Sequence, residues 1–431
     1  MLPAASFECR TVKSYQIGNP RLAIGISGEY PDILDCLPHA ELEPGKNYCF
    51  FLTARFPAGT APGIYRGKAT IAGKDFSHAV PLTIRIRNIT LPTPASFKTD
   101  FLSGPDRYTT EATRLDSKLY QTDLRSLRIT PRHTITLLYD EEGNVKGRPV
   151  QNIQNTVGKL HDHNFHIFGP FLQRKFPGLK PLSAEMDSAM ANFARVTEQT
   201  FQPAGLVDKL LWQLGDEVHD AEKLNIQIHY AKLTRQMAPA LPIFTTVNGF
   251  SERVKELIAC ADIIAMHAEI YFHCVENQLD MSGKQLWQYD NGFMTASVPA
   301  ALVRGIMWRA YKYGITGYHQ WSTTAWPADW DFGVDYSGTL YFPPVQGQKT
   351  PLRSARLQNF ASGVSDYDYF VLLENELRRL GEHPAGKAAA QEFSSIISAV
   401  VPDRWTLPRN YQAIAAGRER IAELIEELQK L

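Results

Sequence analysis

Over roughly the first ninety residues, hydrophobic and polar positions alternate with period two. Tyr65, Gly67, Ala69 and Ile71 fall on one face, and Arg66, Lys68 and Thr70 on the other. After the turn-forming stretch Ala72-Gly73-Lys74-Asp75 the alternation resumes, with Val80, Leu82, Ile84 and Ile86 against Thr83, Arg85 and Arg87. Such alternation predicts half-buried strands, here an antiparallel pair with one wet face, as in a β-sandwich. A Pro/Gly-rich connection precedes the pair, and the segment from Asn88 to Asp100 reads as a linker. The pattern therefore predicts a β-sandwich domain over residues 1–93.

Beyond residue 94 the texture changes. Short apolar runs alternate with helical patterns, which points to βα units and a parallel sheet. Eight strands are expected, over 96–102, 133–139, 165–172, 209–215, 242–248, 262–268, 285–290 and 314–321. Helices separate them, among them 220–237 and 298–313. Eight such units over about 250 residues match a TIM-like (β/α)8 barrel, placed at 94–380. The competing doubly wound open sheet lacks a GxGxxG turn after its first strand. Residues 381–431 read as a C-terminal helical segment, ending in an amphipathic, charge-paired helix. The expected fold is thus multidomain: an antiparallel β-sandwich, then a TIM-like barrel with C-terminal helices.

Composition narrows the function. Among 431 residues, Lys plus Arg and Asp plus Glu are equal at 45 each, so no net positive field draws nucleic acid or an anionic membrane. No run of about 18 apolar residues predicts a membrane span. The start, MLPAASFECR, has no basic region leading into an apolar one. As written the chain is expected in the cytoplasm; an N-terminally trimmed sequence would instead be periplasmic or extracellular. The five Cys form no CxxC pair, which argues against zinc and for free thiols. His161, His163 and His166 invite a metal reading, but in the barrel register they precede the third strand, at the face that carries stability. No metal and no organic cofactor is expected. Oligomeric state is not legible.

The stretch LLWQLGDEVHD, Leu210 to Asp220, carries the candidate chemistry. Asp216 and Glu217 follow the fourth predicted strand, on the face where barrel active sites lie. Acidic residues ahead of a helix often serve as caps, but Asp220 is better placed for that task. Spacing alone leaves decoration and catalysis both open. Adjacent strand residues point to opposite faces, so a shared substrate requires a curl, which Gly215 would permit. Two carboxylates this close predict one raised pKa. A protonated Glu beside an ionised Asp suits glycoside cleavage. Neighbours in sequence are poorly placed to flank a glycosidic bond; they suit the exception in which the sugar's acetamido oxygen attacks.

The sequence resembles glycoside hydrolase family 123, whose characterised members are N-acetyl-β-galactosaminidases. Three stretches carry the resemblance: TAPGIYRGKATI, similar to the family's Pro-Gly-x-Tyr-x-Gly strand; GDEVHD, matching its adjacent Asp-Glu pair; and SGTLYFPP with LRSARLQNFASGVSDYDYFVLL, similar to its Tyr-Pro segment and closing helix. The resemblance implies that Glu217 is the general acid/base and that Asp216 orients the acetamido group, with retention at the anomeric carbon. It implies a glycan or glycoconjugate substrate. It also places Asp366, Tyr367 and Tyr369 at signature positions, where anchoring of a packing helix is expected. The sequence departs from the family in VHD after the pair and in the wording of ASGVSDYDYF.

Further substrate contacts are expected at strand ends. Tyr289 could meet the acetamido group and Asp290 a sugar hydroxyl. Trp321 and Trp326 could floor and wall a sugar pocket. Asn248, His267 and Asp100 end strands five, six and one. The alternatives are a glycosidase for another sugar on the same scaffold, or a catalytically retired glycan-binding protein.

Overall fold

The computed structural model describes residues 2–21, 25–103, 115–138, 147–168, 178–218, 220–289, 291–325, 335–344 and 349–431. All eight expected parallel strands are present, spanning two to five residues each among the described residues. They are β6 (Lys98–Phe101), β7 (His133–Thr134), β8 (Phe165–Phe168), β9 (Leu210–Gln213), β10 (Ile243–Val247), β11 (Ile263–Met266), β12 (Gln285–Gln288) and β13 (Gly317–Gln320). The hydrogen-bonded order is β6-β13-β12-β11-β10-β9-β8-β7. The two ends of this sheet meet through a parallel bridge, Phe101 to Pro131, where Arg132 N–H donates to the Phe101 carbonyl at 2.8 Å. The sheet therefore closes into a TIM-like barrel, and the edges that an open sheet would expose are paired.

Strands of about four residues suffice because the barrel holds few inward layers. Leu211, Phe244, Ile263, Ala265, Trp287 and Tyr289 form the apolar interior cluster, with Trp321 packed against it. Gly317 makes room for Trp287: a Cβ there would lie 2.7 Å from the indole. Helices wrap the outside, among them α1 (Ser117–Ser126), α2 (Pro149–Leu160), α3 (Ala184–Phe201), α4 (Ala221–Met237), α5 (Glu252–Cys260), α6 (Ala268–Glu276) and α7 (Ala300–Lys312). Sequence capping signals act as read: the Asp220 carboxylate accepts from Lys223 N–H at 3.0 Å and starts α4, satisfying a donor that the first turn leaves unpaired.

The N-terminal region is antiparallel β. Strands β1 (Phe7–Ile17), β2 (Gly28–Asp35) and β3 (Cys49–Ala54) join β14 (Tyr341–Phe342) and β15 (Leu352–Ser354) in one sheet, ordered β14-β15-β2-β1-β3. Its inner face packs Tyr15, Ile17, Ile33, Phe342 and Leu352 around Ala296 of the barrel domain. The alternating pair is a separate two-stranded hairpin, β4 (Gly63–Ala72) and β5 (Ser77–Ile86). The covered face expected for it stays largely open, with Ile71 39% and Val80 36% exposed. The hairpin is tied at its base: Arg85 and Arg87 pair with Glu419 and Glu426 on the last helix, α10 (Tyr411–Leu428).

Two further helices, α8 (Ala355–Leu380) and α9 (Pro384–Val400), complete the C-terminal layer. The anchoring role expected for Asp366 is what the packing shows: Arg304 donates to it at 2.7 and 2.8 Å and Trp308 at 2.9 Å, all buried. Tyr367 and Tyr369 are buried beside it. The five cysteines are free. Among the described residues no helix is long and apolar enough to cross a membrane.

Candidate active site

Strand β9 is buried throughout, and the chain leaves it at Leu214 and turns through Gly215, Asp216 and Glu217. The curl is where the sequence suggested, but its mechanism differs. Gly215 does not adopt positive φ; Glu217 does, at 45°. Gly215 is required instead by proximity, since a Cβ there would sit 2.8 Å from the Gln227 side chain of α4. The left-handed conformation of Glu217 itself lets the neighbouring side chains share one side of the chain, which an extended strand forbids.

Thr246, inward on β10, holds both residues. Its Oγ1 donates to Asp216 Oδ1 at 2.7 Å and accepts Glu217 N–H at 3.0 Å. The Tyr289 hydroxyl, one residue past β12, donates to Glu217 Oε1. Burial, then the Glu217 bond and charge, push the Tyr289 phenol well above its ordinary value, so it remains a donor at any working pH. Among the described residues Glu217 Oε2 has no partner. Each carboxylate thus accepts from its own hydroxyl.

The remaining predicted residues divide. Tyr289, expected to face an acetamido group, touches Glu217. His267 occupies the N-cap position of α6, and its ring lies 5.3 Å from the Tyr289 ring. Trp321 packs edge-on to Tyr336 at 5.8 Å and lines the mouth beside the interior cluster. Asn248 is exposed, one residue beyond β10. Asp290 and Trp326 lie outside the described residues.

Asp100 is not at the mouth. Its side chain has no exposure and centres a polar cluster inside the barrel. His319 Nδ1 lies 2.7 Å from its Oδ2, His166 Nε2 2.9 Å, and Arg132 Nη2 3.0 Å. Despite the burial that opposes it, Arg132 and the two histidines hold this carboxyl well below the usual range. Burial, then the Arg132 charge, depress His319 to about 4, so its imidazole is neutral near pH 7. The expected placement of His166 at the bottom face is corrected: it lies in β8 and points inward. His161 ends α2 in a left-handed conformation, and Asn164 donates to the Thr99 carbonyl at 3.0 Å.

Asp100, His166 and His319 bring donor atoms within 4.8 Å of one another, a set of types that binds transition metals. The position of a cation is taken by Arg132, so the cluster is an internally compensated ion pair. His319, Arg132, Gln213 and Thr246 escaped the sequence reading. His319 shares the inward face of β13 with Trp321 by period two, the one available cue.

The described strands thus form a closed (β/α)8 barrel, with two adjacent carboxylates just beyond the C-terminal end of β9. No protein-family model and no curated protein matches the sequence. Among solved structures, a family 123 glycoside hydrolase from Clostridium perfringens, solved in work on glycolipid glycan hydrolysis, shares the fold over 100% of this chain and 87% of its own, at TM-score 0.67 and 12% identity. A family 2 glycosyl hydrolase from Bacteroides cellulosilyticus matches over 74% of this chain and 40% of its own, at TM-score 0.33 and 12% identity. A family 10 xylanase from termite gut matches over 74% of this chain and 90% of its own, at TM-score 0.38 and 12% identity. The full-length likeness is one of fold.

Proposed function

We propose that the chain is a retaining glycoside hydrolase that releases terminal β-linked N-acetylhexosamine, N-acetylgalactosamine in the first instance, by substrate-assisted catalysis. The observation that carries this reading is the paired anchoring of Asp216 and Glu217, each by a separate hydroxyl, in one turn at the barrel mouth. Carboxylates on one turn approach a sugar from the same side. That geometry does not supply a nucleophile and an acid across the glycosidic bond.

In the mechanism, Glu217 Oε2 gives its proton to the glycosidic oxygen as the bond to the anomeric carbon breaks. The acetamido oxygen attacks that carbon, and Asp216 accepts the acetamido N–H as charge develops on the forming oxazolinium. Glu217, now a carboxylate steadied by Tyr289, takes a proton from water, which opens the ring and restores the β configuration. Trp321 offers an apolar face to the sugar. No cofactor is required.

The test is a panel of aryl glycosides with and without the acetamido group. Turnover of the aryl N-acetyl-β-galactosaminide is expected, with Glu217→Gln reducing kcat about 10³-fold and thiazoline mimics inhibiting. Near-wild-type turnover by Glu217→Gln overturns the mechanism. Turnover confined to sugars lacking the acetamido group points to a different glycosidase, and sugar affinity without turnover to a retired barrel.

A further inference from the structure

Two routes connect the buried Asp100 cluster to the acidic pair. In the first, the His319 ring lies edge-on to Tyr289 at 5.2 Å, and Tyr289 bonds Glu217. In the second, His166 Nδ1 lies 3.2 Å from Gln213 Oε1, and Gln213 Nε2 donates to the Gly215 carbonyl at 3.3 Å, directly ahead of Asp216. Both start on one carboxylate oxygen, Asp100 Oδ2. Arg132 completes the set: Nε lies 3.2 Å from both Asp100 oxygens, and Nη2 lies 3.2 Å from each ring nitrogen of His319.

A large apolar core could have filled this interior without any charge. A buried acid and base side by side, contacting the catalytic turn at two points, call for another explanation. We propose that Asp100 and Arg132 are positioning residues: a charge-balanced pair that, through His319 and Tyr289 and through His166 and Gln213, fixes the turn and sets the pH range over which Glu217 carries its proton. This rests on the reading of Glu217 as the acid. The titratable groups beside Glu217 are Asp216 on its own turn and Tyr289 past β12, and against the Tyr289 ring pack His267 past β11 and His319 on β13. Behind them stand Asp100 on β6, Arg132 ahead of β7 and His166 on β8. The charge of Arg132 reaches Tyr289, where it opposes the upward push of Glu217.

Removing one charge of the pair leaves the other uncompensated in a medium that screens poorly. Asp100→Asn leaves a net positive charge, which favours ionised Glu217. Arg132→Gln leaves a net negative one, which favours the protonated form. The upward shift is the smaller, because His319 can take a proton once the guanidinium is gone.

The experiment measures the pH at which the Glu217 carboxyl titrates, by carbon-13 NMR of the labelled protein with Glu217→Gln as the assignment control. In parallel it measures the basic limb of kcat/KM on whichever aryl glycoside is turned over. Asp100→Asn is expected to move both down by roughly one pH unit, and Arg132→Gln to move both up by roughly half a unit. Arg132→Lys should leave them in place, and the double variant should return them to the wild-type position. If Asp100→Asn does not fold, the double variant against Arg132→Gln carries the same comparison. Unmoved titration, or shifts of the same sign in both single variants, overturns the proposal. Absence of turnover with the NMR shifts intact would overturn the glycosidase reading and leave this one standing.

Discussion

Glu217 occupies a backbone conformation that a side-chain-bearing residue avoids at a cost of about 1 kcal/mol. Its φ of 45° is held by the hydrogen bond from its own N–H to Thr246 and by Tyr289 on its carboxylate. Thr246 therefore does two things with one oxygen, and Thr246→Val removes both while keeping the shape. Expected is a fall in kcat of about 10–100-fold with little change in KM, since positioning rather than binding is lost; steady-state kinetics on the aryl glycoside checks it. The spacing of the acidic pair left decoration and catalysis both open, whereas its position past the fourth barrel strand was legible from the strand count. Thr246 was not, because one hydroxyl in the run IFTTV carries no pattern. Asp100 was legible as a strand-end acid, but nothing local shows that Arg132 and His319 will converge on it from 32 and 219 residues away.

At the scale of elements, periodicity located the strands and composition could not trim them. The run over 133–139 yields only two strand residues in β7, and Leu138 stands 63% exposed. Apolar character extends past the pairing, and only the neighbouring strand decides where pairing stops. The β9–α4 junction shows what tertiary contact adds to a local signal. Gly215 was read as a hinge; it is a clearance, with Gln227 occupying the space of a Cβ while bonding Thr245 at 3.1 Å. Gly215→Ala is expected to lower stability by roughly 1–3 kcal/mol through overpacking, measured by denaturant unfolding. Gly215→Ala with Gln227→Ala should recover part of that loss, which a φ-based cause would not allow.

For the whole molecule, proton linkage sets a predictable acid limit. Burial, with Arg132 for His319 and Lys98 for His163, lowers both histidines to about 4 in the folded state, from the ordinary 6.5. Between those values the unfolded chain binds more protons, so stability falls as pH falls from about 6.5 to about 4. Glu8, held at about 2 against its burial by Arg353 and Arg10, adds a loss below its ordinary 4.5. Thermal unfolding followed from pH 7 to pH 4 should show a steadily falling midpoint. His163→Gln, remote from the mouth, should flatten the slope by on the order of 2 kcal/mol over the window.

The order β14-β15-β2-β1-β3 has a consequence for how the chain is made. Arg353, on β15 between β14 and β2, clamps Asp123 at 2.6 Å, and Arg356, at the start of α8, clamps Asp32 at 2.8 Å, so β1 to β3 wait for residues 341–356 before their sheet and its buried charges are complete. A nascent chain on the ribosome must carry this half-built sheet until the barrel has emerged. Fragments ending in the linker near Pro94 should therefore be recovered unfolded, and β1 to β3 should become resistant to protease only after residues 341–356 have been made.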